Sequence, residues 1–189
     1  MYEIKYNKVK PKTGSLLISE PLMIDDIFQR AVILLCEYGK DGSYGVILNK
    51  ASDYKVNQIV KELPNFDAPI YIGGPISLDN IFILHTLGDI VPNSYHIIDN
   101  YYWGGDFDVI NNMLNNNEIT SADIRFFVGY SSWETGQLKN ELKVNSWAVS
   151  NKKYPILHYD DKLLWNAITK TLGKNYNFWT KLPKDPMMN

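Results

Sequence analysis

Two apolar runs separated by a glycine–glycine–proline corner constrain this chain more than any other part of it. The runs lie within residues 70–86, on either side of Gly73, Gly74 and Pro75. Their residues are mostly β-branched, aromatic or leucine, which favours strands, whereas two glycines and a proline interrupt a strand and favour a turn. Because the two runs are close in sequence, they are predicted to pair as an antiparallel hairpin.

The same corner is weighed as a phosphate-binding loop, since glycines expose backbone amides. Pro75 has no N–H to donate, and the corner lacks the Lys-Ser or Lys-Thr pair of a Walker A loop. The Gly-x-Gly-x-x-Gly pattern of dinucleotide-binding loops does not occur either. The corner is therefore predicted to be a structural turn.

Local patterns elsewhere predict a mixture of strands and helices. Residues 31–37 and 44–48 are two apolar runs joined by a glycine-containing turn, which predicts an antiparallel hairpin. Apolar residues at helical spacing predict helices, and Asp106 is a predicted N-cap. The predicted strands are 14–19, 31–37, 44–48, 70–72, 81–86, 96–99, 123–130 and 146–149; the predicted helices are 55–63, one after Asp106, one carrying Leu138 and Leu142, and 159–172 ended by Gly173; residues 101–105 are predicted to be an aromatic loop.

The charge distribution bears on the class of partner. The net charge is −2, but residues 1–13 carry +3, residues 151–189 carry +4 and residues 14–150 carry −9. An acidic body repels a phosphate backbone, so nucleic acid is an unlikely partner and would have to bind the lysine-rich termini. Direct DNA binding through those termini stays open as a second alternative function.

Cysteine and histidine usage gives no local signature of a metal or cofactor. Cys36 is the single cysteine, which excludes an intramolecular disulfide and a cysteine-based zinc site. His85, His96 and His158 stand on separate predicted elements without metal-ligand spacing. No metal and no cofactor are predicted. Because no apolar run approaches the roughly 20 residues of a membrane span, and the N-terminus lacks a signal-peptide core, the expectation is a cytoplasmic protein without a membrane partner.

Catalytic candidates are incomplete. Ser131 lies in a predicted strand-to-helix turn that resembles a nucleophile elbow, but Trp133 stands where that motif needs glycine, and only His158 follows it. Cys36 lies in an apolar run, where a thiol behaves as a small hydrophobe. His85 at a strand end is predicted to bond the backbone, with a ligand-facing role as the alternative.

Five motifs occur in a set order along the chain. They are Gly14-Ser15-Leu16-Leu17-Ile18 with Pro21; Phe28-Gln29-Arg30-Ala31-Val32; the segment 42–50 with Gly42, Gly45 and Asn49; Gly73-Gly74-Pro75 with Leu84-His85-Thr86; and Gly129-Tyr130 with Trp133, Gly136-Gln137-Leu138, Glu141, Asn145 and Trp147. In this order they resemble the YqgE/AlgH family of bacterial proteins, over residues 14–173.

The chain departs from the family pattern at three places. Tyr38 stands where the family often has histidine, and Lys50-Ala51 where it often has Arg-Pro. Ser131-Ser132 stands where alanine and glycine are common, which weakens the serine-nucleophile hypothesis further. The missing histidine after Glu37 likewise weakens a histidine–cysteine pair.

The resemblance implies an α+β fold: a single YqgE-like domain of coiled, largely antiparallel β-sheets with packed helices. The chain then divides into an N-terminal arm (1–13), the YqgE/AlgH-like domain (14–173) and a basic C-terminal tail (174–189). The family is largely uncharacterised, and one branch carries the label of transcriptional regulator. No helix-turn-helix pattern or basic recognition helix supports direct DNA reading here.

The leading hypothesis is a non-enzymatic regulatory or binding domain that acts through a protein or small-molecule partner. Polar and glycine residues at strand ends are predicted to form its binding surface. The alternative is a hydrolase or transferase that pairs His85 with Ser131 or Cys36. The predicted binding residues are Arg30, Asn49, Gly73, Gly74, Pro75, His85, Thr86, Trp133, Gly136 and Gln137.

Overall fold

A computed structural model describes residues 8–183 of the chain. The described residues form an α+β fold with one curled, mostly antiparallel sheet and helices packed against it. Its strands are β1 (Leu16–Ser19), β2 (Val32–Tyr38), β3 (Ser43–Ile47), β4 (Ala51–Lys55), β5 (Pro69–Ile72), β6 (Ile76–His85), β7 (Ser94–Ile98), β8 (Tyr101–Gly104), β9 (Ile124–Trp133) and β10 (Trp147–Ser150). Its helices are α1 (Val56–Ile59), α2 (Phe107–Asn115), α3 (Gln137–Lys143) and α4 (Asp161–Thr171).

The strands β1, β2 and β3 are buried on both faces. Alternate residues of β2 point to opposite sides, so that Val32 and Leu34 pack in the cluster of α4 while Ile33 and Leu35 pack in the cluster of α3. This two-sided burial explains the continuous apolar run, which would alternate with polar residues in a half-exposed strand. The predicted hairpin of residues 31–37 and 44–48 is confirmed as β2 and β3.

The predicted hairpin of residues 70–86 is wrong, although both of its arms are strands. β5 pairs with β9 in parallel, and β6 pairs with the opposite edge of β9, antiparallel. The Gly73-Gly74-Pro75 corner therefore carries the chain across β9. A Cβ on Gly74 would lie 2.2 Å from the Tyr130 carbonyl carbon, and one on Gly129 would lie 2.4 Å from the Gly74 oxygen. Glycine is required here because one backbone crosses directly over another.

Two other local predictions need correction. The predicted aromatic loop 101–105 contains β8, which pairs with β7 and β6. The predicted helix 55–63 is a single turn, α1, after which Val60 is extended. Val56, Val60 and Leu63 are nevertheless buried together. The apolar spacing therefore predicted correctly which residues face the core, but not how long the helix is.

The predicted helix starts are confirmed at two places. The Asp106 carboxylate accepts hydrogen bonds from the backbone amides of Asp108 and Val109, as an N-cap does. Asp160 accepts from the amide of Lys162 and begins α4. At the other end of α4, Gly173 has φ +119° and ψ 172°, which is not the left-handed helical cap that was predicted.

Residues 174–183 continue past α4 as two short 3₁₀ turns. Tyr176 and Trp179 of these turns are buried in the same cluster as Trp165 of α4. The Trp165 and Trp179 rings stack with centroids 6.3 Å apart. Of the predicted arm and tail, residues 1–7 and 184–189 lie outside the described residues. Within residues 8–183, no helix is both long and apolar enough to span a membrane.

Candidate functional site

A polar cavity of about 160 Å³ lies where the end of β3 meets the start of α4. Its walls come from two directions. Residues before β2 and after β3 form one side, and the first two turns of α4 form the other. The lining residues are Gln29, Arg30, Asn49 and Lys50 on the strand side, and Asp161, Lys162, Trp165 and Asn166 on the helix side.

Asn49 holds Arg30 in place at the strand side of this cavity. The Asn49 side chain accepts a hydrogen bond from the Val32 amide at 2.8 Å and donates to the Arg30 carbonyl at 3.0 Å. Arg30 has φ +51°, an uncommon value for a residue with a Cβ. A strained backbone that its neighbours hold in place is typical of functional positions.

Two contacts hold the Arg30 guanidinium, which is partly buried. Its carbon lies 5.1 Å from the ring centre of Trp165, and its Nη2 donates to the carbonyl of Leu182 at 2.5 Å. Burial lowers the pKa of Arg30 from its ordinary value, but an arginine remains charged at neutral pH. The cavity therefore holds a fixed positive charge.

A partly buried ion pair between Arg125 and Asp161 fixes the helix side. Arg125 lies 3.4 Å from the Asp161 carboxylate and stacks 4.1 Å from the ring centre of Tyr71, whose hydroxyl donates to the other Asp161 oxygen at 2.8 Å. Arg125 also donates to the carbonyls of Leu48 and Leu157. Burial raises the pKa of Tyr71 to about 12, with Arg125 acting in the opposite direction, so Tyr71 stays protonated as the donor. Arg125 thus joins the end of β3 to the start of α4.

Sequence reasoning missed Arg125, Tyr71 and Asn166 and gave Asp161 only a helix-end role. One signal was present for Arg125, because an arginine inside an apolar strand is almost never buried without a partner. No comparable signal marked Asn166.

Two of the cavity residues carry buried polar atoms without a hydrogen-bond partner. Within residues 8–183 the unsatisfied buried side-chain atoms are Arg30 Nε, Asn166 Oδ1 and Trp179 Nε1. The first two belong to residues that line this cavity, one a donor and the other an acceptor. A buried polar group without a partner costs about 1–3 kcal/mol, so each such group calls for an explanation.

His85 lies elsewhere, buried at the end of β6. Its Nδ1 accepts from the Leu87 amide at 3.2 Å, and its Nε2 lies 3.0 Å from Ser94 Oγ, which itself donates to the Val91 carbonyl. A neutral ring with hydrogen on Nε2 satisfies both contacts. Burial lowers the pKa of His85, while the backbone at Gly104 acts to raise it. His85 is a neutral core histidine, and its partners are backbone and serine groups of its own neighbourhood.

The structure does not bring His85 to Ser131 or Cys36. His85 is paired with Ile124, and Ser131 lies seven residues further on, about 23 Å along the strand at 3.3 Å per residue. Ser131 lies within a continuous strand, not at an elbow, and donates to the Gly73 carbonyl at 3.2 Å. Burial raises the pKa of Cys36 far above its ordinary value. Cys36 Sγ donates to the carbonyl of Leu34, and both ring nitrogens of His85 are bonded to other groups, so the predicted histidine–serine and histidine–cysteine pairs are wrong.

The predicted residues near the far end of β9 belong to a separate cluster. The indole N–H groups of Trp133 and Trp147 both donate to Glu141 Oε2, at 2.8 Å and 2.7 Å. Gln137 donates to the other oxygen of Glu141 at 2.9 Å. Gly136, with φ +77°, precedes α3. These contacts join α3 to β9 and β10.

The ten predicted binding residues therefore do not share one surface. Thr86 bonds the Asp123 carbonyl beside His85 at the start of β9, whereas Trp133 is the last residue of β9, about 30 Å further along the strand. The Gly73-Gly74-Pro75 corner crosses β9 between them. Arg30 and Asn49 are the two predicted residues that line the cavity. Among residues 8–183, no group of three or more histidine, cysteine, aspartate or glutamate side chains is arranged to hold a metal.

Comparison with known proteins gives consistent matches over nearly the whole chain. The family model described as AlgH-like matches residues 16–177. A UPF0301 protein of Parabacteroides distasonis is 43% identical over 192 residues, covering 100% of this chain and 97% of that protein. A UPF0301 protein of Bacteroides thetaiotaomicron is 40% identical over 191 residues, with coverage of 100% and 97%.

Two solved structures share the fold. The crystal structure of protein DIP2367 from Corynebacterium diphtheriae matches with a TM-score of 0.74 and 22% identity, covering 92% of this chain and 94% of that one. The solution structure of the AlgH protein from Pseudomonas aeruginosa matches with a TM-score of 0.71 and 24% identity, covering 93% and 97%. At these identities the two matches support the fold and carry no statement about activity.

Proposed function

We propose that this chain, which belongs to the AlgH-like family, is a non-enzymatic regulatory domain of the bacterial cytoplasm that binds a small ligand in the cavity between β3 and α4. The observation that carries the proposal is Arg30, a charged residue that lines the cavity and is held at φ +51° by Asn49 and against the ring of Trp165. A residue held in an uncommon conformation by its neighbours is typical of a functional position.

The surrounding contacts support a binding site over a catalytic one. Arg30 and Asp161 are each held by several groups, so the walls are rigid before any ligand arrives. His85, Ser131 and Cys36 lie in other parts of the sheet, and none of the three lines the cavity. A polar cavity whose walls are already held in place suits recognition of a ligand.

Regulation would follow from where the cavity lies. It joins the β2–β3 end of the sheet, α4 and the segment that carries Leu182, which bonds Arg30. A ligand that binds there stabilises the packing of these three parts on each other. The binding domain then comprises residues 14–173 together with the segment up to Leu182 that packs on α4 and on Arg30, and a protein partner would contact α4 and that segment.

The direct test is a thermal-shift screen of a chemically varied metabolite panel against the wild-type chain. A ligand at one hundred times its Kd stabilises the folded state by about 2.7 kcal/mol. For a chain of this size that raises the Tm by about 5–10 °C. Binding is then repeated with Asn166→Phe, which fills the cavity, and with Asn112→Phe on the exposed side of α2 as the matched control.

The expected result is a stabilising compound whose effect Asn166→Phe abolishes and Asn112→Phe retains. Circular dichroism of both variants shows whether they remain folded. If no compound stabilises the wild type, or if both variants respond as the wild type does, the cavity is not a ligand site and the proposal fails.

A further inference from the structure

The apolar face of the sheet under α1 and α2 continues one row beyond these helices. On the neighbouring strands β5, β9 and β6, a first row of side chains is buried in one cluster with residues of both helices. Side chains two residues apart in a strand point to the same side, so the next row on this face lies two residues away on each strand. Because α1 ends at Ile59 after one turn, this second row is left partly open to solvent. The first row is Ile70, Phe126 and Ile83, and the second is Ile72, Val128 and Ile81.

Exposed apolar side chains surround the open row. Tyr54, Ile59 and Leu78 are 62%, 44% and 56% exposed, and Ile81 in the row itself is 37% exposed. These residues line two adjoining hollows that share Ile59. Single exposed apolar residues are ordinary on a protein surface, whereas a contiguous apolar surface marks an interaction site. The two hollows together are called the apolar groove, and its main apolar residues are Tyr54, Ile59, Ile72, Leu78, Ile81 and Phe107.

The charged residues that line the apolar groove have one sign. Asp53 lines the hollow beside β4, Glu62 lines the hollow that reaches β8, and both are exposed. Lys61 precedes Glu62 but is not among the lining residues, and Lys55 is paired with Asp67. The groove is therefore apolar with an acidic edge, in a chain whose body is net negative. Charge complementarity favours a partner that carries lysine or arginine beside its apolar residues.

The form of the apolar groove favours a helix as its occupant. Its floor consists of side chains on a sheet face, where the backbone groups are already paired between strands. An extended segment on this face would find no sheet edge to pair with, whereas a helix pairs its own backbone groups. The groove crosses the sheet from β4 to β8 over β5, β9 and β6, which is about 19 Å at roughly 4.8 Å per strand spacing. A helix of about 13 residues has that length.

From the open apolar row, the acidic edge and the length of the groove, we infer that the apolar groove binds a basic amphipathic helix of a partner protein. Apolar residues of that helix at i, i+3, i+4 and i+7 face Ile59, Leu78 and Ile81, and its lysines or arginines lie beside Asp53 and Glu62. The groove is on the opposite face of the sheet from α4, because alternate residues of β9 pack in the two clusters. The inference therefore goes beyond the proposed function and does not depend on a ligand in the cavity.

A phage-displayed library of random 16-residue peptides supplies the probe, since the partner is not identified. The library is first depleted on immobilised Leu78→Lys, which removes peptides that bind elsewhere, and is then selected on the wild-type chain. The enriched peptides are expected to be net positive, with apolar residues at helical spacing. Synthetic copies are measured by fluorescence anisotropy, and circular dichroism of the complex shows whether they become helical on binding.

Two matched substitutions locate the binding. Leu78→Lys places a positive charge in the groove and removes an apolar contact, so it should weaken peptide binding at least tenfold. Leu163→Lys is the control, because Leu163 on α4 is 57% exposed against 56% for Leu78, and the same charge is added. It should change the affinity less than twofold. Asp53→Asn removes one exposed acidic group and should weaken binding about two- to fivefold, with the loss reduced at high salt. Because all three positions are exposed, the variants should remain folded, which circular dichroism checks.

Each outcome decides for or against the basic helix. Basic peptides that become helical, and whose binding Leu78→Lys weakens and Leu163→Lys retains, support it. No enriched peptide, or equal effects of the two leucine substitutions, overturns it. Enriched peptides that are acidic or stay extended overturn it as well. Sedimentation of the wild-type chain tests a second copy as the occupant: a dimer that Leu78→Lys alone dissociates would replace the partner helix. None of these results bears on the ligand screen of the cavity, so the two proposals can fail separately.

Discussion

Replacing Glu141 tests whether one carboxylate holds α3 against the sheet. Its Oε2 accepts from two buried indoles, of Trp133 and Trp147, whose rings meet edge to face with centroids 6.0 Å apart. Glu141→Leu leaves both N–H groups buried without a partner. At about 1–3 kcal/mol for each orphaned donor, the free energy of unfolding should fall by about 4 kcal/mol.

Glu141→Gln is the graded version of the same change. It keeps an oxygen for the indoles but removes the charge, and charged acceptors are worth about 1 kcal/mol more per bond than neutral ones. Two bonds predict a loss of about 2 kcal/mol. The free energy of unfolding of both variants is measured by urea denaturation, monitored by far-ultraviolet circular dichroism. Tryptophan fluorescence is not used, because the substitutions themselves change it. Glu134→Gln, exposed at the start of the same turn, is the matched control and should stay within 0.5 kcal/mol.

A double-mutant cycle decides whether the indoles are the cause. In a Trp133→Phe background only one N–H is left to orphan, so Glu141→Leu should cost about half as much as in the wild type. If Glu141→Leu costs less than about 1 kcal/mol in the wild type, or the same in both backgrounds, the carboxylate does not act through its indole bonds.

Three further outcomes are expected. Gly74→Ala should lower the free energy of unfolding, measured by urea denaturation, by at least about 4 kcal/mol, because the new Cβ would lie 2.2 Å from the Tyr130 backbone. Gly136→Ala is the control. A Cβ there has no atom within 4 Å, so the loss should be about 1–2 kcal/mol, caused by the positive φ alone. Because the pKa of His85 is lowered in the folded chain, His85 binds a proton below about pH 6.5 in the unfolded chain more readily than in the folded one. The free energy of unfolding should therefore fall as the pH decreases from 7 to 5, and it should fall less steeply in His85→Gln. Equal slopes in the two proteins would contradict this. Because Cys36 is buried, a thiol reagent should modify it only when the chain unfolds. The labelling rate should therefore increase with urea concentration as unfolding becomes more frequent. Rapid labelling of the folded chain without urea would contradict this.

The elements that sequence patterns predicted well are those whose cause is local. Asp106 and Asp160 begin α2 and α4 because a carboxylate meets amides two or three residues away. The β2–β3 hairpin forms across a short turn. In each case the interacting groups lie within a few residues of each other along the chain, so the interaction can be predicted from the local sequence.

The crossing of residues 70–86 shows the opposite case. The pattern of two strands around a glycine corner is the same for a hairpin and for a connection that passes over a third strand. The partner that decides between them, β9, begins about 50 residues after the corner. The glycines did signal a close approach, since Gly74 and Gly129 each lie where the other backbone passes. Their sequence alone does not say which backbone approaches.

The candidate site was predicted in part for the same physical reason. Arg30 and Asn49 belong to neighbouring strand ends, so a search for polar groups at strand ends found both. Asn166 and Asp161 join them because Arg125, inside β9, bonds Leu48 at the end of β3 and Leu157 just before α4. An arginine in an apolar strand requires partners. Here the partners of Arg125 come from the end of β3 and from the start of α4, so its bonds join a late helix to an early strand. A charged residue in an apolar strand thus indicates that distant elements meet at that strand, although the sequence does not show which elements they are.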